Sequence, residues 1–407
     1  MSADPKDSCV ILQISPVMTE SAVTGPGTLI SAGLICFCAG GLYGWSALIP
    51  VIENKFNGST EQSGLVFSIA IVAFSIAVIV SPRLSSKFSG LYGCVLFGCC
   101  GAVCLLLAVM APSYLLFLIT FGVGFGVCSG AIYINALATA AQSSRPAVVT
   151  PLMVASFGMG GAVSGLVWRL LVLREWGAMA LVPLIIALVV ACIAGGMVNK
   201  RAAPVIKANT TVSSNSPALR RRGVFLLLWL SFALGSAGGL MVLGLAGKMT
   251  DSVGAGTSLT SIAVAGVALG NTLGRLSVGG FNYAFKPVNT ALLAVSVATT
   301  GLITTYMAVS PSLVVVGLII VASGYGAVAS TIPALVGAIY GKDNFARVFS
   351  YVFSAWGVAG LIAPWLAGAI HDRTGGFQMA ILLALLATIG SVITLLSLKL
   401  ITLADHR

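Results

Sequence analysis

Apolar stretches of about 20 residues recur along nearly the whole of this 407-residue chain, separated by short polar turns. Each is long enough to cross a ~30 Å hydrocarbon core as a helix, the one open-ended element that satisfies its own backbone there. Hydrophobic residues make up 58% of the sequence and charged residues 8%, against about 25% charged in a soluble domain. So little charge cannot clothe an ordinary wetted surface. The spacing of the stretches also excludes a single anchor carrying a large soluble domain, and the expected class is an all-α, polytopic membrane protein.

Twelve transmembrane helices are expected at 28–52, 62–82, 90–111, 114–141, 147–171, 177–198, 224–248, 257–281, 287–309, 312–339, 346–370 and 377–401. The connections are short except for one. Residues 199–223 hold Lys200-Arg201, a polar run from Asn209 to Pro217 and Arg220-Arg221-Arg222, the composition of a flexible linker. It divides the chain into an N-terminal six-helix bundle (27–198) and a C-terminal one (224–401), with tails at 1–26 and 402–407. Two six-helix halves around a midplane site are a transporter layout. Of the 21 Lys and Arg, fifteen fall on the side of the linker and tails, five on the other side, and Arg275 within the membrane. That asymmetry is the positive-inside bias, so the net charge of +11 needs no nucleic-acid partner. It places both termini in the cytoplasm. The first 26 residues, with Asp4, Lys6, Asp7 and Glu20, lack the basic start and apolar core of a cleavable signal peptide.

All nine cysteines precede residue 200, eight of them in apolar stretches. No His or carboxylate joins them at ligand spacing, so they read as small buried hydrophobes rather than metal ligands, and no cofactor or metal is expected. The 48 glycines cluster within helices, as in Gly122-Val-Gly-Phe-Gly126, Gly158-Met-Gly-Gly161 and Gly324-Tyr-Gly326. Close helix packing accounts for most of them. The first loosely matches a dinucleotide fingerprint but has no preceding strand and lies in a span.

All ten Asp and Glu lie in tails or near loops, and neither His371 nor His406 reaches a helix midpoint. A carboxylate proton relay therefore has no candidate, and a hydrolase lacks its nucleophile–base pair; the chain is expected not to be an enzyme. Against that background Arg275 stands out, well inside the eighth helix. An arginine there costs at least ~2.5–3.5 kcal/mol on insertion scales and usually faces a cavity or a partner. Its planar fork matches a carboxylate, and Asn271 lies one turn earlier on the same face. Tyr43 and Trp45, Tyr133 and Asn135, Tyr325, Phe353 and Trp356 lie at matching depths elsewhere. Buried Tyr and Trp need hydrogen-bond partners and, in a cavity, offer one to a substrate.

Three stretches carry a family likeness: Gly41-Leu-Tyr-Gly-Trp-Ser-Ala-Leu-Ile-Pro50, Gly270-Asn-Thr-Leu-Gly-Arg-Leu-Ser-Val-Gly279, and Tyr351-Val-Phe-Ser-Ala-Trp-Gly-Val-Ala-Gly-Leu-Ile-Ala-Pro364. The chain resembles the oxalate/formate antiporter-like branch of the major facilitator superfamily, which is similar to the monocarboxylate porters. The resemblance implies the major facilitator fold, organic-anion transport by alternating access, and a substrate-binding role for Arg275. It also exposes departures. Where oxalate transport is associated with a second cation on helix eleven, this chain has Trp356; pocket aromatics of helices four and ten are replaced by Ser129 and Ala329. The Asp that precedes the arginine by four residues in proton-coupled porters is Asn271 here, and the first-helix lysine of the animal proteins is Ala47. The loop motif after helix two keeps Lys87 but has Ser86 where the acid is expected; its repeat, Gly280-Phe-Asn-Tyr-Ala-Phe-Lys286, has no acid either.

The expectation is thus a transporter of a small organic anion, a monocarboxylate paired by Arg275, with Asn271, Tyr43, Trp356, Tyr325 and Tyr133 lining the site and Lys87 and Lys286 at the gates. Exchange of one anion for another suits an arginine that must not return unpaired. A neutral or amphipathic solute with Arg275 structural is the alternative; a non-transporting receptor is a further one. The expected setting is a bacterial inner membrane, as a monomer whose partners are the anion and the lipid bilayer.

Overall fold

The structure, a computed structural model, describes residues 24–84, 90–144, 146–199 and 222–404. Within them, twelve helices are long and apolar enough to cross a membrane. They are α1 (Pro26–Ala47), α2 (Thr60–Ser81), α3 (Gly90–Met110), α4 (Tyr114–Ala141), α5 (Leu152–Leu173) and α6 (Gly177–Val198) in the first half of the chain. The second half supplies α7 (Arg222–Asp251), α8 (Thr257–Val278), α9 (Pro287–Tyr306), α10 (Pro311–Gly341), α11 (Tyr351–Thr374) and α12 (Gln378–Ile401). An even number of crossings puts the start of α1 and the end of α12 on one face; the face opposite, with the α1–α2, α5–α6 and α7–α8 connections, is called distal below. The N-terminal tail and the linker fall almost wholly outside the described residues, and so does Lys87.

The expected spans are all present, with local differences. The first does not run unbroken to residue 52. Its last part, Gly40–Ala47, tightens into a 3-10 helix, and a separate helix, Ile49–Phe56, follows. Three glycines in that stretch lower the cost of leaving α geometry. In α4, Leu118–Phe125 widens into a π-helix, so Gly122-Val-Gly-Phe-Gly126 marks an irregular turn and not a phosphate loop. α10 and α11 belong to one nearly continuous helical run, Pro311–Thr374, interrupted at Gly341 with φ 75° and ψ 170°, a left-handed conformation that favours glycine.

Glycines bring backbones into contact where α1 meets α5: a Cβ on Gly40 would strike the Phe157 carbonyl, and one on Gly160 the Phe37 carbonyl. The two halves meet along two seams, α2 against α11 and α5 against α8. Both use small residues, with Gly64 against the Pro364 carbonyl, Gly357 against Ser75, and Gly165 against Val264. Outward faces carry large apolar side chains such as Met110, Ile186 and Leu273, the surface a bilayer requires. The cysteines split: Cys36, Cys38, Cys94, Cys128 and Cys192 are buried as expected, whereas Cys99 and Cys100 point outward from α3. Successive residues at 99 and 100 cannot both follow a buried stripe that also takes Cys94, because a helix turns about 100° per residue.

Candidate functional site

The α8 sequence alternates between two environments within one turn. Leu269, Leu273 and Leu276 are exposed on the outer face, whereas Asn271 and Thr272 are fully buried and Arg275 is 8% exposed on the inner one. The apolar stripe thereby turns the only arginine of α8 into the seam between the halves. Gly326 of α10 lets the Asn271 carbonyl approach with no intervening side chain, and Gly274 does the same for the Ser323 carbonyl. Backbone contact on this scale fixes α8 against α10 and with it the origin of the arginine.

Two neutral oxygens receive Arg275. Its Nε donates to Asn271 Oδ1 at 3.3 Å, and its Nη2 donates across the seam to Tyr43 Oη at 3.3 Å. The guanidinium carbon also lies 5.8 Å from the Tyr43 ring centroid, within cation–π range. No carboxylate among the described residues pairs with it; the ion pairs among them include Arg169–Asp251, Lys248–Glu53 and His371–Asp372. Dipoles thus solvate the charge without cancelling it. Because Arg275 Nε fixes which end of the Asn271 amide faces it, the amide Nδ2 is left buried without a hydrogen-bond partner.

Aromatic rings from both halves form a continuous wall around this point. Tyr43 and Tyr133 pack on Phe157 at 5.1 and 5.3 Å between centroids, both edge-on. Phe74 touches Phe157, Tyr133 and, across the seam, Trp356 at 5.5, 5.5 and 5.4 Å. Phe353 continues the wall against Trp356 at 5.2 Å. Trp356 Nε1 donates to Tyr325 Oη at 2.6 Å, so its one donor is engaged within the C-terminal half.

Arg275, Asn271, Tyr43, Tyr133, Tyr325 and Trp356, expected together from the sequence, are therefore connected through direct contacts or through Phe74 and Phe157. These two phenylalanines were missed by sequence reasoning, and nothing in an apolar run distinguishes a site ring from a packing ring. Asn135 belongs elsewhere: its Nδ2 donates to the Ala131 carbonyl at 2.8 Å within its own helix. Ser129, read as a truncated pocket residue, is fully buried and donates to the Ala39 carbonyl at 3.2 Å, so it ties α4 to α1. Lys286 is exposed at the N-terminus of α9, away from the aromatic wall.

Among the described residues, further polar contacts between the halves lie at the distal face. Lys248 Nζ donates to Glu53 Oε2 at 2.6 Å. Asp372, at the end of α11, accepts from the backbone N–H of Thr60 at 3.1 Å and of Glu61 at 2.6 Å, capping the start of α2. Trp365 adds two more bonds, from its Nε1 to Glu61 Oε1 at 3.0 Å and from its N–H to Ser68 Oγ at 3.2 Å.

No protein-family model matches the chain. It is 28% identical over 379 residues to the hexuronate transporter of Bacillus subtilis (strain 168), covering 83% of this chain and 86% of that protein. It is 20% identical over 351 residues to the uncharacterized MFS-type transporter YhjX of Escherichia coli (strain K12), covering 82% and 85%. Among solved structures it is similar to a bacterial homologue of the human lysosomal transporter Spinster, inward-facing and unoccupied, with a TM-score of 0.63, 15% identity and coverage of 92% of this chain and 94% of that one. It is also similar to the major facilitator transporter FucP in its outward conformation, at 0.60, 15%, 91% and 99%. The fold is the major facilitator fold of twelve helices in two bundles.

Proposed function

We propose that this chain is a secondary transporter of the major facilitator superfamily that carries a small organic anion, a monocarboxylate, with Arg275 pairing the carboxylate. The observation that carries this reading is a buried guanidinium at the seam of the halves whose partners, Asn271 and Tyr43, are both neutral. At an effective dielectric of 20, a carboxylate 4 Å away interacts with it by roughly 4 kcal/mol. Nothing described within the protein supplies that interaction, and a substrate can. Binding there bridges both halves, since Tyr43 belongs to the first and Arg275 to the second, and so favours closure around the substrate.

The wall around Arg275 also bears on the rest of the substrate. The named cargo of the Bacillus relative, a hexuronate, carries one carboxylate and several hydroxyls. Here the neighbouring surface is mainly ring faces and edges, and Trp356 Nε1 is engaged by Tyr325. Hydroxyls set against such a wall lose hydration without replacement, at about 1–3 kcal/mol for each unpaired group. An acid with one charge and a more apolar body fits better. A dicarboxylate does not, because its second charge meets Trp356 where a cation would be needed.

Asn271 cannot carry a proton, so coupling by a carboxylate beside the arginine is absent, and exchange of one anion for another follows as the cycle that never returns Arg275 unpaired. The positive-inside bias supports a distal face that is outside and termini that are cytoplasmic; the bacterial inner membrane rests on the family resemblance, and the chain is proposed to act as a monomer. Lys87 and Lys286 are kept as gate residues on the resemblance alone. A second reading has one observation in its favour: Asn271 and Tyr43 already satisfy two donors of Arg275, as a purely structural arginine would require.

Thermal unfolding of the purified protein separates the two readings, using acetate, phenylacetate, glucuronate and oxalate as probes. Phenylacetate is expected to stabilise the wild type most. Arg275→Ala removes one side of a buried charge pair, about 2–5 kcal/mol, and is expected to abolish the shift. Stabilisation of equal size in the variant would assign the arginine to structure.

A further inference from the structure

We propose that Arg169 forms a second anion-binding site, at the distal mouth of the seam, that receives the organic anion before it reaches Arg275. The inference rests on the anion-transport reading above and extends it to a residue that sequence reasoning left unnamed.

Arg169 lies in the last turn of α5 and is 7% exposed. A guanidinium offers five N–H donors in a rigid fork. Yet the Nε of Arg169 is buried without a hydrogen-bond partner, and its Nη2 comes only within 4.0 Å of Asp251 Oδ1, at the end of α7 across the seam. That oxygen already accepts a bond of 2.6 Å from Thr260 Oγ1 on its own half. The neighbouring cation is paired differently. Lys248 meets Glu53 at 2.6 Å, the geometry of a closed latch. Arg169 instead holds a loose contact with a carboxylate whose principal bond lies elsewhere.

Alternating access gives this looseness a consequence. Opening at the distal face moves the C-terminal half, with Asp251 and Thr260, away from α5. Arg169 then loses the carboxylate it pairs with among the described residues and faces water on the side of the seam that also holds Arg275. A carboxylate entering there meets a fork with unused donors, and bidentate pairing is the contact such a fork makes best. When the seam closes, Asp251 returns within 4.0 Å and competes with the anion, which favours its onward movement.

The two arginines do not form one site. Thr260, bonded to Asp251, precedes Arg275 by fifteen positions on α8, roughly 22 Å at 1.5 Å per residue. No small diacid spans that separation, and it exceeds the ~8–10 Å Debye length of physiological salt. Arg169 therefore acts before Arg275, not beside it.

The test compares substitutions that a latch and an anion site would sort differently. If the Arg169–Asp251 contact serves only to hold the halves together, Arg169→Gln and Asp251→Asn remove the same interaction and act alike. If Arg169 binds the anion, they act in opposite directions, because the second removes a competitor while keeping an acceptor for Thr260. Initial rates of radiolabelled phenylacetate entry from the distal side of proteoliposomes are expected to show KM raised about fivefold or more by Arg169→Gln, the size of a partly screened charge contact. Asp251→Asn is expected to lower KM, and Arg169→Lys to recover part of the loss. Shifts of the same sign in the first two variants overturn the proposal.

A binding measurement keeps this outcome separate from that of the Arg275 reading. In an Arg275→Gln background, phenylacetate binding by equilibrium dialysis is expected to persist weakly when Asp251→Asn is added and to vanish when Arg169→Gln is added. Equal binding by those two double variants refutes the mouth site even where transport fails. Full binding and transport by Arg275→Gln alone that still responds to Arg169→Gln would instead overturn the Arg275 reading and leave the mouth site standing.

Discussion

At the scale of single residues, the seam holds a cation among neutral oxygens, and the simplest probe is to supply the missing negative charge from the protein itself. Asn271 already touches Arg275 Nε through its Oδ1, so Asn271→Asp puts a carboxylate there with almost no change in shape. Ionised, it occupies the guanidinium and competes with the substrate; protonated, it does not. Transport by the variant is therefore expected to fall well below wild type at neutral pH and to recover as pH is lowered, never as it is raised. Rates of phenylacetate exchange across a pH series check the sign, and recovery on alkalinisation would contradict a substrate-pairing arginine. Arg275 and Asn271 were legible in the sequence because a charge and an amide are rare in a membrane helix and their four-residue spacing puts them on one face. Phe74 and Phe157 were not, since phenylalanine suits lipid, core and cavity equally. Arg169 was illegible for another reason: near a helix end an arginine normally snorkels to water, and only the tertiary structure shows it covered.

At the scale of elements, glycine decides how near the helices come, and each contact sets the position of a site residue. Gly274 of α8 has the Ser323 backbone of α10 where a Cβ would go. Gly274→Ala must therefore push apart the pair of helices that carry Arg275 and Tyr325. Overpacking of this kind costs about 1–3 kcal/mol. Gly196→Ala in α6 is the control, with nothing within 4 Å of the added methyl and a helix-propensity gain of roughly 0.8–1 kcal/mol. Thermal unfolding in detergent is expected to show a lower midpoint for the first and an unchanged or higher one for the second. An unchanged midpoint for Gly274→Ala would mean that α8 and α10 can separate without penalty. The existence of all twelve helices followed from apolar length alone, because a bilayer leaves the backbone so few alternatives. Their irregularities did not. The 3-10 turn at Gly40–Ala47 and the π stretch at Leu118–Phe125 depend on which neighbouring backbone each glycine meets, and sequence spacing does not contain that information.

At the scale of the whole molecule, the described contacts join the halves tightly at the distal face through charges that seemed idle in the sequence. Glu53, Glu61 and Asp372 lie near loops, and their partners are 195, 304 and 311 positions away along the chain, so no local pattern could announce them. At the face opposite the loop whose acid is missing, Asp372 accepts two N–H groups at the start of α2. There the helix dipole also favours a negative charge. Asn in this position offers a single acceptor and turns an amide N–H toward a backbone donor. Hydrogen bonds to a charged group contribute about 1.5–3 kcal/mol, so Asp372→Asn is expected to shift the balance by roughly 10- to 150-fold toward the arrangement open at the distal face. The Lys248–Glu53 pair remains, which should prevent complete separation. Spin labels at Arg174 and Val253, both exposed at the distal ends of opposite halves, report the change in a background without native cysteines. The longer-distance population is expected to grow in the variant and to shrink again with phenylacetate, which bridges Tyr43 and Arg275 and draws the halves together. An identical distance distribution in wild type and variant would show that Asp372 caps α2 locally while the glycine contacts of the α2–α11 seam hold the face closed.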